Sequence, residues 1–265
     1  MRPFAYHKPE TLPQAVELLS ASDQVRPLAG GMTLLPTLKL RLAAPAALVD
    51  LSGVGALSGI SLADGYLTIG AMTTHDTVSR SADVRGAIPA LAALAGMIGD
   101  PQVRNRGTIG GSVANHDPSA DYPAAVLALG ATIITDRREI AADDFFTGLF
   151  ETALKPGEIV TAIRFPLPLA AGYSKHPNPA SRYAIVGVFV AKFAEGVRVA
   201  VTGAGPGVFR ATLIEDALTA DFSPAAIERI SIDPAPLSSD IHADAEYRAH
   251  LATVMAQRAV AAASA

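Results

Sequence analysis

Two glycine turns about eighty residues apart constrain this chain more than any other feature: Ala29-Gly30-Gly31-Met32-Thr33 and Thr108-Ile109-Gly110-Gly111-Ser112. Each follows an apolar stretch and ends in a hydroxyl residue. Adjacent glycines let the backbone take positive φ and approach a ligand closely, so that consecutive N–H groups converge on one anionic group. Thr33 stands where it would cap a helix over residues 34–42, with Pro36 tolerated in the first turn and a positive partial charge at the helix start. A lone Gly-Gly reads as a tight bend between strands. Two such turns read as halves of one clamp suited to the diphosphate of a dinucleotide.

With 265 residues, half of them hydrophobic, the chain exceeds a typical single domain and can bury two or three lobes around a shared interface. The expected division is 1–57, 58–172 and 173–265. In the first lobe, Thr11-Leu12-Pro13 starts a helix over residues 12–20, and strands at 25–29 and 47–51 flank the first glycine turn in a βαβ-like unit. The second lobe opens with a hairpin, 59–63 against 66–71, turning at Asp64-Gly65. Helices follow at 74–80, 88–98 and 124–129, with strands at 131–135 and 158–165. Residues 172–181, with two prolines, read as a boundary loop. Beyond it come antiparallel strands at 183–193 and 197–202, and an apolar stripe of Tyr247, Leu251, Val254 and Met255 on a helix over 244–263.

A formal charge of −4 without a basic, aromatic-rich cluster argues against nucleic acid as a partner. The N-terminal residues lack an apolar signal core, and the longest apolar run, near residues 124–134, is too short to cross a bilayer. A cytoplasmic location is expected. The chain contains no cysteine, which excludes disulfides, a thiol nucleophile and cysteine-held iron–sulfur clusters within it. Its histidines show no metal-ligand spacing, so no metal site is expected. Gly203-Ala204-Gly205-Pro206-Gly207 invites a nicotinamide-dinucleotide reading, but Val208 stands where the fingerprint needs its third glycine, and a turn between strands is the expectation.

The stretch from Ile98 to Pro123, containing Asp100-Pro101-Gln102-Val103-Arg104-Asn105-Arg106-Gly107-Thr108-Ile109-Gly110-Gly111-Ser112, is far more specific. It resembles the flavin-binding medium subunit of the molybdenum hydroxylases, the carbon monoxide dehydrogenase and xanthine dehydrogenase family. Leu28 to Pro36, Gly70-Ala71-Met72-Thr73-Thr74-His75, Phe145-Phe146-Thr147-Gly148, Pro156-Gly157-Glu158-Ile159 and Ser239 to Arg248 are similar to the same family, so the likeness spans nearly the whole chain. It implies an α+β protein: a vanillyl-alcohol-oxidase (PCMH-type) FAD-binding fold of two small α/β lobes, followed by an α+β C-terminal domain.

The resemblance implies non-covalent FAD, with its diphosphate held by backbone amides and hydroxyls of Ala29, Gly30, Gly31, Met32, Thr33 and Leu34 and of Thr108, Ile109, Gly110, Gly111 and Ser112. Asn115 and Asp121 fall where polar contacts to ribityl or isoalloxazine are expected, and a carboxylate suits the donor hydroxyls and N3–H found there. Read from the residues alone, Asp121 equally suits a cap on the helix that follows. Ile98 and Ile159 are core residues or packing faces for the rings. Lys175 matches a cofactor-contacting lysine or is a solvated loop lysine. Tyr183 matches an aromatic over the flavin or packs in a strand. Met32 stands where the carbon monoxide dehydrogenase type commonly has histidine, Thr33 replaces serine and His116 replaces asparagine, which weakens assignment to carbon monoxide as the substrate.

Function follows from the same likeness: an oxidoreductase subunit whose FAD takes electrons from 2Fe–2S clusters on a small partner subunit, after a molybdenum cofactor on a large subunit has oxidised the substrate. No acid, base or nucleophile on this chain is required, and the missing cysteines fit clusters carried elsewhere. A heterotrimer, which can dimerise, is the expected assembly. A stand-alone FAD-dependent oxidase or reductase and a non-catalytic FAD-binding module are the alternatives.

Overall fold

The structure is a computed structural model and describes residues 1–264. Its first lobe alternates strand and helix: β1 (Ala5–His7), α1 (Leu12–Ser20), β2 (Val25–Leu28), α2 (Leu34–Lys39) and β3 (Ala47–Asp50). Thr11 opens α1 by accepting a hydrogen bond from the Gln14 N–H, and a proline in the first turn loses no helical bond there. The strands pair in parallel in the order β1-β3-β2. Leu19, Val49, Leu51 and Leu57 form the lobe's core and share it with Ile159 of the next lobe.

The second lobe starts with the expected hairpin, β4 (Ile60–Ala63) and β5 (Tyr66–Gly70), turning on Asp64 and Gly65, both at positive φ. Then come α3 (His75–Arg80), α4 (Ala82–Ala87), α5 (Pro89–Gly96), α6 (Pro101–Arg104), α7 (Ile109–Asn115), α8 (Tyr122–Ala128), β6 (Thr132–Thr135), β7 (Glu139–Ala141) and α9 (Ala142–Phe145). A short hairpin, β8 (Phe146–Gly148) and β9 (Glu151–Thr152), leads to β10 (Val160–Pro166). The sheet order β4-β5-β10-β6-β7 puts the late strand β10 at the centre.

The third lobe contains β11 (Ala170–Pro177), β12 (Ala184–Phe193), β13 (Gly196–Thr202), β14 (Phe209–Arg210), α10 (Thr212–Ala220) and α11 (Ala245–Ala263). Its antiparallel sheet carries α10 and α11 over a core that includes Val188, Val190, Val199 and Met255. On the other side Tyr173, Phe189, Ala191 and Ala200 join the core of the second lobe. Arg198 and Arg210 of this lobe both meet Asp143 of α9, which adds polar contacts across the same boundary.

Three expectations need correction. Residues 172–181 are not a boundary loop: β11 already begins at Ala170 and pairs with β12 along its length. Gly172, which reads as a loop glycine, is there because α11 lies directly on the strand; a Cβ would collide with the Ala259 carbonyl oxygen. The helix after the first glycine turn ends at Lys39 rather than residue 42, where Arg41 takes a left-handed φ of 61°. The second glycine pair is no bend at all but the first turn of α7. Gly203 to Gly207 do form a turn between β13 and β14, with Gly207 against the ring of His116.

Candidate functional site

All the cofactor-binding candidates except Ile109 and Lys175 line one cleft of about 600 Å³. Both glycine turns border it, and they touch. A Cβ on Gly30 would overlap the Arg106 carbonyl and lie 2.8 Å from the Gly107 Cα, while one on Gly111 would lie 3.3 Å from the Ala29 Cβ. The glycines therefore bring the two segments to one junction. Gly31 does something different: its φ of +75° turns the chain from β2 toward α2.

At the junction the two turns present different chemistry. No hydrogen bond within the described residues engages the N–H groups of Gly30, Gly31, Met32, Thr33 or Leu34. Thr33 occupies the N-cap position of α2, but its side chain makes no capping bond, contrary to the expectation, and its hydroxyl is left available at the cleft wall. In the second turn the Ile109 N–H donates to the Thr73 carbonyl, Gly110 to Ala71, Gly111 to Thr108 Oγ1 and Ser112 to the Thr108 carbonyl. The first two hold α7 to the segment 71–74, and the last two close its first turn on Thr108. What this half offers the cleft is the Thr108 N–H, the Ser112 hydroxyl and, beyond it, the Asn115 amide, none with a partner inside the described residues.

Asp121 borders the cleft yet is only 4% exposed. It accepts hydrogen bonds from the Tyr173 hydroxyl and from the Lys175 ammonium at 2.9 Å, and it makes no capping bond to α8. Burial raises its carboxyl above the usual carboxylate range, with Lys175 and Tyr173 acting in the opposite direction. The side chain of Lys175, 3% exposed, also donates to the Met97 and Arg182 carbonyls at 3.0 Å each. It is neither solvated nor on the cleft wall. It stands behind Asp121 and anchors the segment that carries Tyr183, a cleft residue whose phenol is pushed up chiefly by burial.

Ile159 has two surroundings. It is core to the first lobe and also cleft wall, and its N–H is fixed by Asp136 Oδ1 at 2.7 Å. Next to it Glu158, bound by Arg138 and Thr135, has its carboxyl lowered to about 2, first by the Arg138 hydrogen bonds. Ile98 packs against the main core from the cleft side. His75 and Arg182 also line the cleft; nothing in the glycine pattern points to either. The motif 70–75 was visible as a family likeness, but only the fold shows it as the backing of the second turn.

These residues fit FAD. Residues with unengaged amides and hydroxyls line one cleft where the two glycine segments pack together, which suits an anionic bridge, and Ile98, Ile159 and Tyr183 supply apolar faces for flat rings. No group of three or more histidine, aspartate or glutamate side chains among the described residues is placed to hold a metal ion. No described helix is long and apolar enough to cross a membrane.

Comparison with known proteins identifies the family. Residues 2–168 match the family described as the FAD binding domain in molybdopterin dehydrogenase, and residues 171–263 match the CO dehydrogenase flavoprotein C-terminal domain. The carbon monoxide dehydrogenase medium chain of Afipia carboxidovorans is 36% identical over 97% of this chain and 95% of its own length. The nicotine 6-hydroxylase medium subunit of Paenarthrobacter nicotinovorans is 35% identical over 96% and 95%. Among solved structures, reconstituted CO dehydrogenase from Oligotropha carboxidovorans superposes with a TM-score of 0.92 at 34% identity, covering 99% of this chain and 98% of that one. With matches to both halves and relatives aligned end to end, the chain belongs to the FAD-binding medium subunits of the molybdenum hydroxylases, a family of oxidoreductases.

Proposed function

We propose that this chain holds FAD between a partner subunit bearing iron–sulfur clusters and an external electron acceptor, within an assembly that also contains a large molybdenum subunit. The observation that carries the reading is the cleft junction: the amides from Gly30 to Leu34 have no partner among the described residues, and these residues line the same cleft as Ser112. When bound, FAD supplies the capacity to take electrons singly from clusters and to release them singly or in pairs. The protein's own work is positional. The first turn holds the diphosphate through its amides, and Thr33 and Ser112 add hydroxyl donors. Asn115 meets the ribityl chain, while Ile98, Ile159 and Tyr183 confine the ring systems and limit water beside them. Asp121, fixed by Lys175 and Tyr173, presents its remaining acceptor capacity to the cleft.

The relatives include medium subunits of enzymes named for carbon monoxide and for nicotine at nearly equal identity. Such similar flavin subunits serve very different substrates, which supports placing substrate choice on another subunit. The test is purification of the tagged full chain from cells that make it natively, with flavin release and elemental analysis. One FAD per chain with co-purifying molybdenum and iron is expected. A folded chain without flavin and without those metals contradicts the proposal.

A further inference from the structure

His75 is 4% exposed, lines the cleft, and makes no hydrogen bond through either ring nitrogen. Its Nδ1 is sealed from solvent, and the other sealed polar atom without a partner among the described residues is the hydroxyl of Tyr122, whose ring centroid lies 5.3 Å from that of His75. Nε2 lies on the opposite edge of the imidazole, against the bare face of Gly107: a Cβ there would come within 2.5 Å of it. Gly107 is also the residue against which Gly30 of the first turn packs. Gly30 and His75 thus both pack on Gly107, which places the imidazole beside the junction of the two turns. Its backbone is held there, since the His75 N–H donates to the Gly107 carbonyl and Thr108 pairs with Thr74.

A neutral imidazole carries one N–H. A sealed donor without an acceptor is rarer in proteins than an under-satisfied acceptor, so the proton belongs on Nε2, which unlike Nδ1 is not among the sealed atoms of this cleft-lining residue. We propose that His75 is a further cofactor-binding residue, its Nε2–H donating to a diphosphate oxygen of the dinucleotide held at the junction of the two glycine turns. The inference rests on the flavin reading above. Burial supports the neutral form, holding the imidazole down to about 4, with the nearby Arg104 charge acting in the same direction. The residue supplements the first turn by adding a side-chain donor from the half whose amides at 109–112 are engaged.

The experiment is titration of the full chain with FAD, with ADP-ribose, which keeps the diphosphate but lacks the flavin, and with riboflavin, which lacks the diphosphate. Wild type is compared with His75→Leu and His75→Gln, each first shown to be folded by its melting transition. His75→Leu is expected to weaken FAD and ADP-ribose by about tenfold or more while leaving riboflavin unchanged. His75→Gln, whose amide N–H reaches near the position of Nε2, is expected to stay within about threefold of wild type. Unchanged FAD and ADP-ribose affinity in His75→Leu overturns the proposal, and so does equal weakening in both variants, which assigns the imidazole to packing. Should His75→Leu fail to fold, His75→Asn, whose amide N–H falls near Nδ1 and short of Nε2, is read in its place with the same expectation. A folded wild type that binds neither FAD nor ADP-ribose sinks the flavin reading itself and this inference with it.

Discussion

The two glycine turns look alike in sequence and differ in what their backbones do. Around Gly30 and Gly31 the chain leaves β2, turns at positive φ and keeps its amides free of internal partners. Around Gly110 and Gly111 it is already helical, with the leading amides of α7 given to Thr73, Ala71 and Thr108. One glycine pair makes a donor surface; the other permits close packing, since a Cβ on Gly110 would overlap Ala71. A Gly-Gly pair followed by a hydroxyl therefore identifies close approach of something to the backbone. Whether that something is a ligand or another strand of the same protein depends on where the amides are directed.

The largest effect that would sharpen this division comes from Lys175, which stands with the engaged groups. If its three acceptors are its whole role, Lys175→Met should cost roughly 3–5 kcal/mol in chemical denaturation by leaving Asp121 buried and unpaired. A small loss of stability accompanied by loss of FAD would instead move Lys175 to the ligand side.

Acid should discriminate next. The His75 pKa is depressed by burial to about 4 from an ordinary value near 6.5, so the unfolded chain binds the extra proton first. Stability supported by neutral His75 is complete above pH 6.5 and is lost as pH falls toward 4, by an order of 3 kcal/mol if this residue acts alone. Glu158, lowered to about 2, adds a second loss below pH 4.5. Melting curves between pH 7 and 4 should therefore flatten in His75→Leu. An unchanged slope in that variant contradicts the burial argument.

Gly110→Ala should destabilise by about 1–3 kcal/mol through overpacking against Ala71, as measured in urea. The smallest test is a matched pair of hydroxyl deletions. Thr108→Val removes the Oγ1 acceptor of the Gly111 N–H and should cost about 1 kcal/mol. Thr33→Val removes a hydroxyl with no capping bond, so its stability should change by less than about 0.5 kcal/mol while FAD binds more weakly. Equal stability losses would break the distinction between the turns.

Local signals made part of this legible. Thr11 with Pro13 set the start of α1, Asp64-Gly65 set the β4–β5 hairpin, and the spacing from Tyr247 to Met255 located α11. Long-range packing was not legible. Gly172 and Pro177 resemble loop residues, yet Gly172 is where α11 rests on β11 and Pro177 ends that strand. The cleft itself was anticipated through its glycines and the family likeness, but the engagement of the Ile109 and Gly110 amides depends on Thr73 and Ala71, which no spacing within 108–112 reveals. His75 carried no signal beyond its place in a shared motif, because its significance lies in contacts with Gly107 and Tyr122.

Hydrogen–deuterium exchange on the full chain, with and without FAD, tests the division most directly. Amides 30–34 should exchange quickly in the free chain and become protected when FAD is added, while amides 109–112 should be protected in both states and change little. Protection of 30–34 before FAD is added, or an equal gain in both turns on its addition, would contradict the account.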